Sequence, residues 1–343
     1  MSSPPPSSLN LPGVAKQLEQ LPTWGKSLVI GGATLAALYL PYSWYRSRPR
    51  ETPLKKDFEK GVVYLYQYPR CNQLPSLSAA CLKLETWLRI SDVPYENMQL
   101  PLTVRGLDGS VPFVELDGEE ISHSSISLGE LRHRLEKDCL EEHLSDEQKA
   151  SSAAFDRLVD RSLSSSHRIF RAENADKVIS LVPSHVFGIF APLISRYVLH
   201  NYLGQCARSA TSDGLGSYTR EQKIAFGEAD LRTLSKYLGA KHYFNGFKPT
   251  TLDATIFGLL AQIAYAPYES SHGDLLKGDC ANLLDFVERI RARFWPDWKE
   301  ATTTYSLDSN WKKRPILNGA SPRRSLSARQ SPKPSSPLPS LQA

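Results

Sequence analysis

The chain is poor in paired cysteine. Its five cysteines (Cys71, Cys81, Cys139, Cys206, Cys280) are odd in number and widely separated, with no C-x-x-C pair. That spacing excludes a disulfide framework and a cysteine zinc site. Free thiols fit a reducing compartment. No Asn opens an N-x-Ser/Thr sequon, in keeping with a folded region that stays out of the secretory lumen. The phosphate loop G-x-x-x-x-G-K-[ST], the dinucleotide fingerprint G-x-G-x-x-G after a strand, the zincin H-E-x-x-H and the hydrolase elbow G-x-S-x-G are all missing. Those four chemistries therefore have no carrier here, and no metal site is expected.

Positive charge is also scarce where a nucleic-acid binder would need it. Residues 1–60 hold eight Lys/Arg against four Asp/Glu, and residues 301–343 hold seven against one. With a whole-chain charge of +5, residues 61–300 are net acidic. A domain that grips phosphates concentrates basic residues on itself, so no nucleic-acid partner is expected.

The flanks read differently from the middle. Residues 1–26, opened by Pro4, Pro5 and Pro6, show no periodicity and read as disordered. An uncharged stretch runs from Ser27 to Tyr45, most apolar between Leu28 and Leu40. With Tyr42, Trp44 and Tyr45 as an interfacial anchor it approaches the length a bilayer crossing needs. Arg46, Arg48, Arg50, Lys55 and Lys56 follow it, in a basic linker over 46–60. Charge placed after the apolar run argues against a cleaved signal peptide, and by the positive-inside rule it turns the folded part toward the cytosol. A single-pass anchor over 27–45 is expected. Outer mitochondrial, endoplasmic-reticulum and plasma membranes fit equally. Residues 301–343, rich in Ser and Pro, bury too little apolar surface to fold and read as a disordered tail. Its Ser-Pro pairs at Ser321, Ser331 and Ser336 suit either a bare solvated tail or proline-directed phosphorylation.

Between the flanks the pattern changes once. Val62–Tyr66 is β-branched and aromatic, a strand. Leu77, Cys81, Leu84 and Leu88 recur on one face of an amphipathic helix. Val111–Leu116 and Glu119–Ile121 flank Asp117-Gly118, a strong hairpin signal, and Ser127–Lys137 reads as a further helix. From Ser145 to about Trp298 everything is helical in character. The expected fold is α+β: a thioredoxin-like domain over 61–137 followed by an all-α domain over 138–300.

Three stretches give this order a family likeness: Tyr68-Pro69-Arg70 with the run Pro75–Arg89, the run Thr250–Gly258, and the run Arg291–Trp298. On these the chain resembles the glutathione-transferase superfamily. It is most similar to the failed-axon-connections branch, related to metaxins and to cadmium-responsive nematode proteins. The resemblance implies an all-α glutathione-transferase-like second domain and a glutathione site. Ser78 would occupy the position of the activating hydroxyl in serine-type transferases, and Val111-Pro112 that of the valine–cis-proline beside the cysteinyl unit. His123 and Ser124 would stand where active transferases carry acid–serine. Here His123 replaces the acid, and loss of that charge-assisted bond costs roughly 1.5–3 kcal/mol. Ser78 equally reads as a plain helix cap, a role serine commonly fills. Thr250 and Asp253 form a capping box, a folding element without catalytic meaning. Phe294, Trp295 and Trp298 read as packing, with a partner groove as the alternative.

The leading expectation is therefore a membrane-anchored binding or targeting module, with protein partners, in axon development or membrane-associated sorting. The rival is a glutathione S-transferase using Ser78 in detoxification or metal stress. Glutathione is the one cofactor the resemblance suggests, and a homodimer is compatible with it.

Overall fold

A computed structural model describes residues 22, 51–100, 104–122, 124–135, 140–212 and 217–307. Nearly all of the expected N-terminal segment 1–26, the anchor over 27–45 and the tail beyond residue 307 lie outside the described residues. So does the expected domain boundary at 137/138. Among the described residues, no helix is long and apolar enough to cross a membrane. The chain divides after Leu54 into two units, and the architecture below is that of the second.

Strand β1 (Val63–Gln67) leads through helix α1 (Ala79–Ile90) to β2 (Tyr95–Gln99), which pairs with β1 in parallel. Strands β3 (Phe113–Leu116) and β4 (Glu119–Ile121) form the hairpin expected from Asp117-Gly118. Both turn residues take positive φ, 53° and 85°, the conformation that Asp-Gly accepts most readily in a two-residue hairpin loop. The sheet order is β2-β1-β3-β4, and α2 (Ser124–Arg134) follows. This helix begins three residues before the expected Ser127 and stops short of Lys137. Val63, Leu65, Val114 and Leu116 pack on one sheet face against Leu84, Trp87 and Leu88 of α1 and Leu131 of α2. The other face carries Tyr64, Tyr66 and Phe113, with Tyr66 and Phe113 stacked at 4.8 Å.

The helical part begins at α3 (Asp146–Arg157), capped by Ser145 in a box with Gln148. A π-helical turn, Leu158–Leu163, joins it to α4 (Ser164–Glu173). Then come α5 (Ala175–Ser180), a 3-10 turn (Ser184–Phe190) and α6 (Ala191–Ser212). Next are α7 (Arg220–Leu238), α8 (Thr251–Ala264), α9 (Ser271–Lys277) and α10 (Ala281–Phe294). A last helix, α11 (Trp298–Thr303), extends past the expected end near Trp298. Residues 301–307, expected to open the disordered tail, belong to the fold, because Ala301 and Thr302 are buried beside Trp298.

Helix α8 is the core of this part, with Leu252–Ile263 buried throughout. It lies directly on α1. A Cβ at Gly258 would come within 2.7 Å of the Ala79 carbonyl and 2.9 Å of the Lys83 nitrogen, so the glycine sets the helix separation. The capping box is in place: the Asp253 carboxylate accepts from Thr250 N at 2.7 Å and from Phe244 N at 2.8 Å.

Two predictions follow from this packing. Gly258→Ala should cost about 1–3 kcal/mol by forcing α1 from α8, read as a lowered urea midpoint. His272 on α9 is buried against Phe170, with Nε2 3.2 Å from Ser166 Oγ. Burial pushes its pKa from 6.5 down to about 4, against the weaker pull of the Ile224 carbonyl and Glu228. The unfolded chain takes up this proton first, so stability present above pH 6.5 should fall as pH drops toward 4. The shift corresponds to about 3 kcal/mol. His272→Asn should flatten urea midpoints measured between pH 7 and 5, and an unchanged pH dependence would refute the assignment.

Candidate functional site

Ser78 lies where the chain from β1 enters α1, and Val111-Pro112 leads into β3, the antiparallel neighbour of β1 in the sheet. Ser78 is the N-cap of α1, and its Oγ accepts from Cys81 N at 3.3 Å. Ser78 N in turn donates to Ser76 Oγ at 3.2 Å. Cys81 is fully buried, and burial raises its thiol pKa over the opposing hydrogen bonds of Ser78, the Tyr68 backbone and Ser76. Cys71 is pushed up to about 12 by the same cause. Neither thiol is a nucleophile at neutral pH.

Val111-Pro112 is a cis peptide at the entrance to β3. The loop before it holds Arg105, which donates to Tyr68 Oη and sits over the Tyr68 ring at 5.5 Å. Burial raises the Tyr68 pKa against the attraction of Arg105, so the side chain is a neutral phenol. The sequence names Tyr68 only as part of the family-likeness stretch and singles out no partner for it, because an arginine 37 residues later shares no motif with it.

At the far side of this loop, Gly106 approaches the end of β4 so closely that a Cβ would meet Ser122 Oγ at 2.8 Å. Glu120 Oε1 accepts from Leu107 N at 2.6 Å and from Ser122 Oγ at 2.5 Å. This carboxylate, three residues before His123, is thus engaged in holding the loop. His123 lies outside the described residues; Ser124 is the first residue of α2.

The segment leading into α1 is clamped from the helical side. Arg171 on α4 donates to the Leu77 carbonyl at 2.8 Å and to Gln262 Oε1 at 2.9 Å, and Gln262 Nε2 donates to the Ser76 carbonyl at 2.9 Å. Asn72 N donates to the Leu181 carbonyl at 2.9 Å, and Tyr305 Oη to Asn72 Oδ1 at 2.6 Å. Chain from the end of α5 and from the stretch after α11 therefore holds the loop preceding Ser78 at Asn72.

A second cluster centres on Glu85 of α1, and its four charged members, Arg70, Glu85, Arg89 and Asp297, are all buried. Glu85 receives Arg70 in a two-pronged ion pair at 2.7 and 2.8 Å, and Arg89 Nη2 at 3.1 Å. Arg89 also grips both oxygens of Asp297, at 2.5 and 2.9 Å, takes the Phe294 carbonyl at 3.0 Å, and lies 3.7 Å from the Trp295 ring centroid. Tyr95 and Asn97 of β2, and Gln67 of β1, complete the bonds to Glu85. Burial alone would raise the Glu85 pKa, but Arg70 and Arg89 outweigh it and hold the carboxyl far below its ordinary 4.5. Ser306 and Leu307 carbonyls accept from Arg70 Nε and Asn97 Nδ2. Trp295 and Phe294 are buried here and Trp298 nearly so, so the partner-groove alternative gives way to packing.

Comparisons with known proteins agree with this architecture. Family models match for the glutathione S-transferase N-terminal domain over residues 79–177 and for the C-terminal domain over 227–290. Failed axon connections of Drosophila melanogaster is 35% identical over 75% of this chain, and the chain spans 63% of that protein's length. Isoprene-epoxide--glutathione S-transferase of a Rhodococcus strain is 26% identical, covering 68% of this chain and 99% of the relative. Metaxin-2 of Mus musculus is 24% identical, covering 68% and 89%.

The buried cluster makes a sharp mutational statement. Asp297→Ala strands Arg89 with half its counter-charge in a dry site and should cost about 3–5 kcal/mol. Denaturant unfolding should show it, and a loss below about 1 kcal/mol would mean the pair is solvated.

Proposed function

We propose that this chain, a member of the metaxin/glutathione S-transferase-like superfamily and similar to the failed-axon-connections protein, works as a binding and targeting module, not as a detoxifying enzyme. One observation carries this reading: the last acid before His123 in the sequence, Glu120, is already engaged inside the fold, holding the Gly106 loop through Leu107 N and Ser122 Oγ. An incoming ammonium would have to compete with both donors for that carboxylate. Ser78 Oγ caps α1 as an acceptor and keeps its own proton to donate, so it does not by itself separate the two readings. The loop before α1 is likewise bonded into the fold by Arg171, Gln262, Leu181 and Tyr305.

In this proposal the superfamily scaffold presents a surface to proteins near a membrane. Residues 27–45 form a single-pass anchor and the folded unit faces the cytosol, a reading that rests on the apolar run and the basic residues after it. A role in axon development or membrane-associated sorting follows by likeness to the Drosophila and metaxin relatives. The rival, a serine-type transferase, draws on the Rhodococcus relative and on the cis peptide at Val111-Pro112.

Calorimetric titration of the full-length chain with reduced glutathione separates the two. Binding weaker than about 1 mM is expected, since the lost charge-assisted contact is worth one to two decades in affinity. Conjugation of a chloronitrobenzene substrate should stay at the uncatalysed rate. Submillimolar binding together with turnover that Ser78→Ala abolishes would establish the transferase instead.

A further inference from the structure

Residues 178–205 contain a single charged side chain, Arg196, and no acidic one. In a chain that is 22% charged this is an outlier. The stretch is not buried to match. On α6, Leu193 is 71% exposed, Tyr197 66% and Leu203 39%. Arg196 and His200 are exposed as well. At 100° per residue, these five positions fall within one half of the helix circumference. The outward face of α6 thus combines two aliphatic side chains, a tyrosine, an arginine and a histidine, with no carboxylate.

We propose that this face of α6 rests on an anionic lipid surface. A helix with exposed Leu and Tyr around an arginine and a hydrogen-bonding histidine has the composition of an interfacial helix, which sinks its apolar side into the headgroup boundary while Arg196 meets lipid phosphates. The inference rests on the membrane-anchored reading above. With residues 27–45 in the bilayer, the folded unit is tethered to a membrane through the short basic linker 46–60. A second copy of the chain is a poor occupant. A two-fold contact centred on α6 would bring Arg196 and His200 toward their own equivalents, with no acid in 178–205 to neutralise them.

The test is hydrogen exchange of the full-length chain in detergent, in phosphatidylcholine vesicles and in vesicles that also contain phosphatidylserine. Amides of residues 191–205 should exchange at least about fivefold more slowly with phosphatidylserine than in detergent. The double variant Leu193→Asp/Tyr197→Asp, which alters only exposed positions, should lose that protection and keep exchange elsewhere unchanged. Carbonate extraction of the same vesicles reports the anchor separately. A chain that resists carbonate but shows no added protection at 191–205 overturns this inference and leaves the anchor standing. A chain stripped by carbonate yet still protected in a phosphatidylserine-dependent way upholds it and removes the anchor. Absence of both refutes both, and protection that follows protein concentration instead of lipid assigns the face to a second copy.

Discussion

Glu85 is the pivot of the folded unit. Its carboxylate sits on α1 with no exposure to water, and it is tolerable there only because two guanidiniums and three neutral donors surround it. Two negative and two positive charges, Glu85 with Asp297 and Arg70 with Arg89, leave the cluster neutral, which is the condition for burying it at all. Its members come from three parts of the chain: Arg70 from the loop after β1, Glu85 and Arg89 from helix α1, and Asp297 from the turn after α10. The cluster therefore fixes the register of the sheet against the last helices. A hydrophobic patch could supply similar adhesion, but it would not dictate which turn of α1 meets which residue of the C-terminal segment.

This arrangement explains why α1 is buried on every side. One face packs on the sheet through Leu84, Trp87 and Leu88, and the opposite one meets α8 at Gly258. Lys83, in the same helix, is buried between Asp156 and Asp160 at 3.2 and 3.0 Å. The π-helical turn places Asp160 within reach, an irregularity of the kind that re-aims side chains inside helices. Trp87 and Trp295 find acceptors in Thr251 and Thr86 at 3.2 and 3.0 Å. The helix that would activate a thiol in an enzyme is held here from three directions by its own fold.

Much of this was legible in the sequence, and the limits of the reading have physical causes. Periodicity found β1 and α1 to within a residue or two, because their apolar positions face one packed layer. The hairpin was legible from Asp117-Gly118, whose backbone preference is local. Strand β2 was not singled out by residue. Tyr-Glu-Asn-Met-Gln has little hydrophobic alternation, and its Tyr95 and Asn97 serve the charge cluster instead of an apolar core. The cluster itself was invisible for a related reason. Charges at 83, 85 and 89 on a helix ordinarily mark its solvent face, and partners 15 to 208 residues away reverse that meaning. The three stretches that gave the family likeness nevertheless contain Arg70, Glu85, Arg89 and Asp297, so the resemblance had picked out the interaction without revealing it.

The same separation of local from long-range signals governs the functional site. Ser78 was correctly placed at the head of α1, yet its two readings differ only in what else reaches its hydroxyl. In the structure the near donor is Cys81 N, and the loop leading to Ser78 is held at Asn72 by the Leu181 carbonyl and Tyr305. Those holding residues come from regions whose sequences read as generic helix and as tail. A scaffold that keeps the helix cap, the cis peptide and the capping box has kept what folding requires of it. What a bound tripeptide would need in addition is a free carboxylate and an open approach. Glu120, already bonded to Leu107 and Ser122, shows how the fold has turned the first of these to its own use.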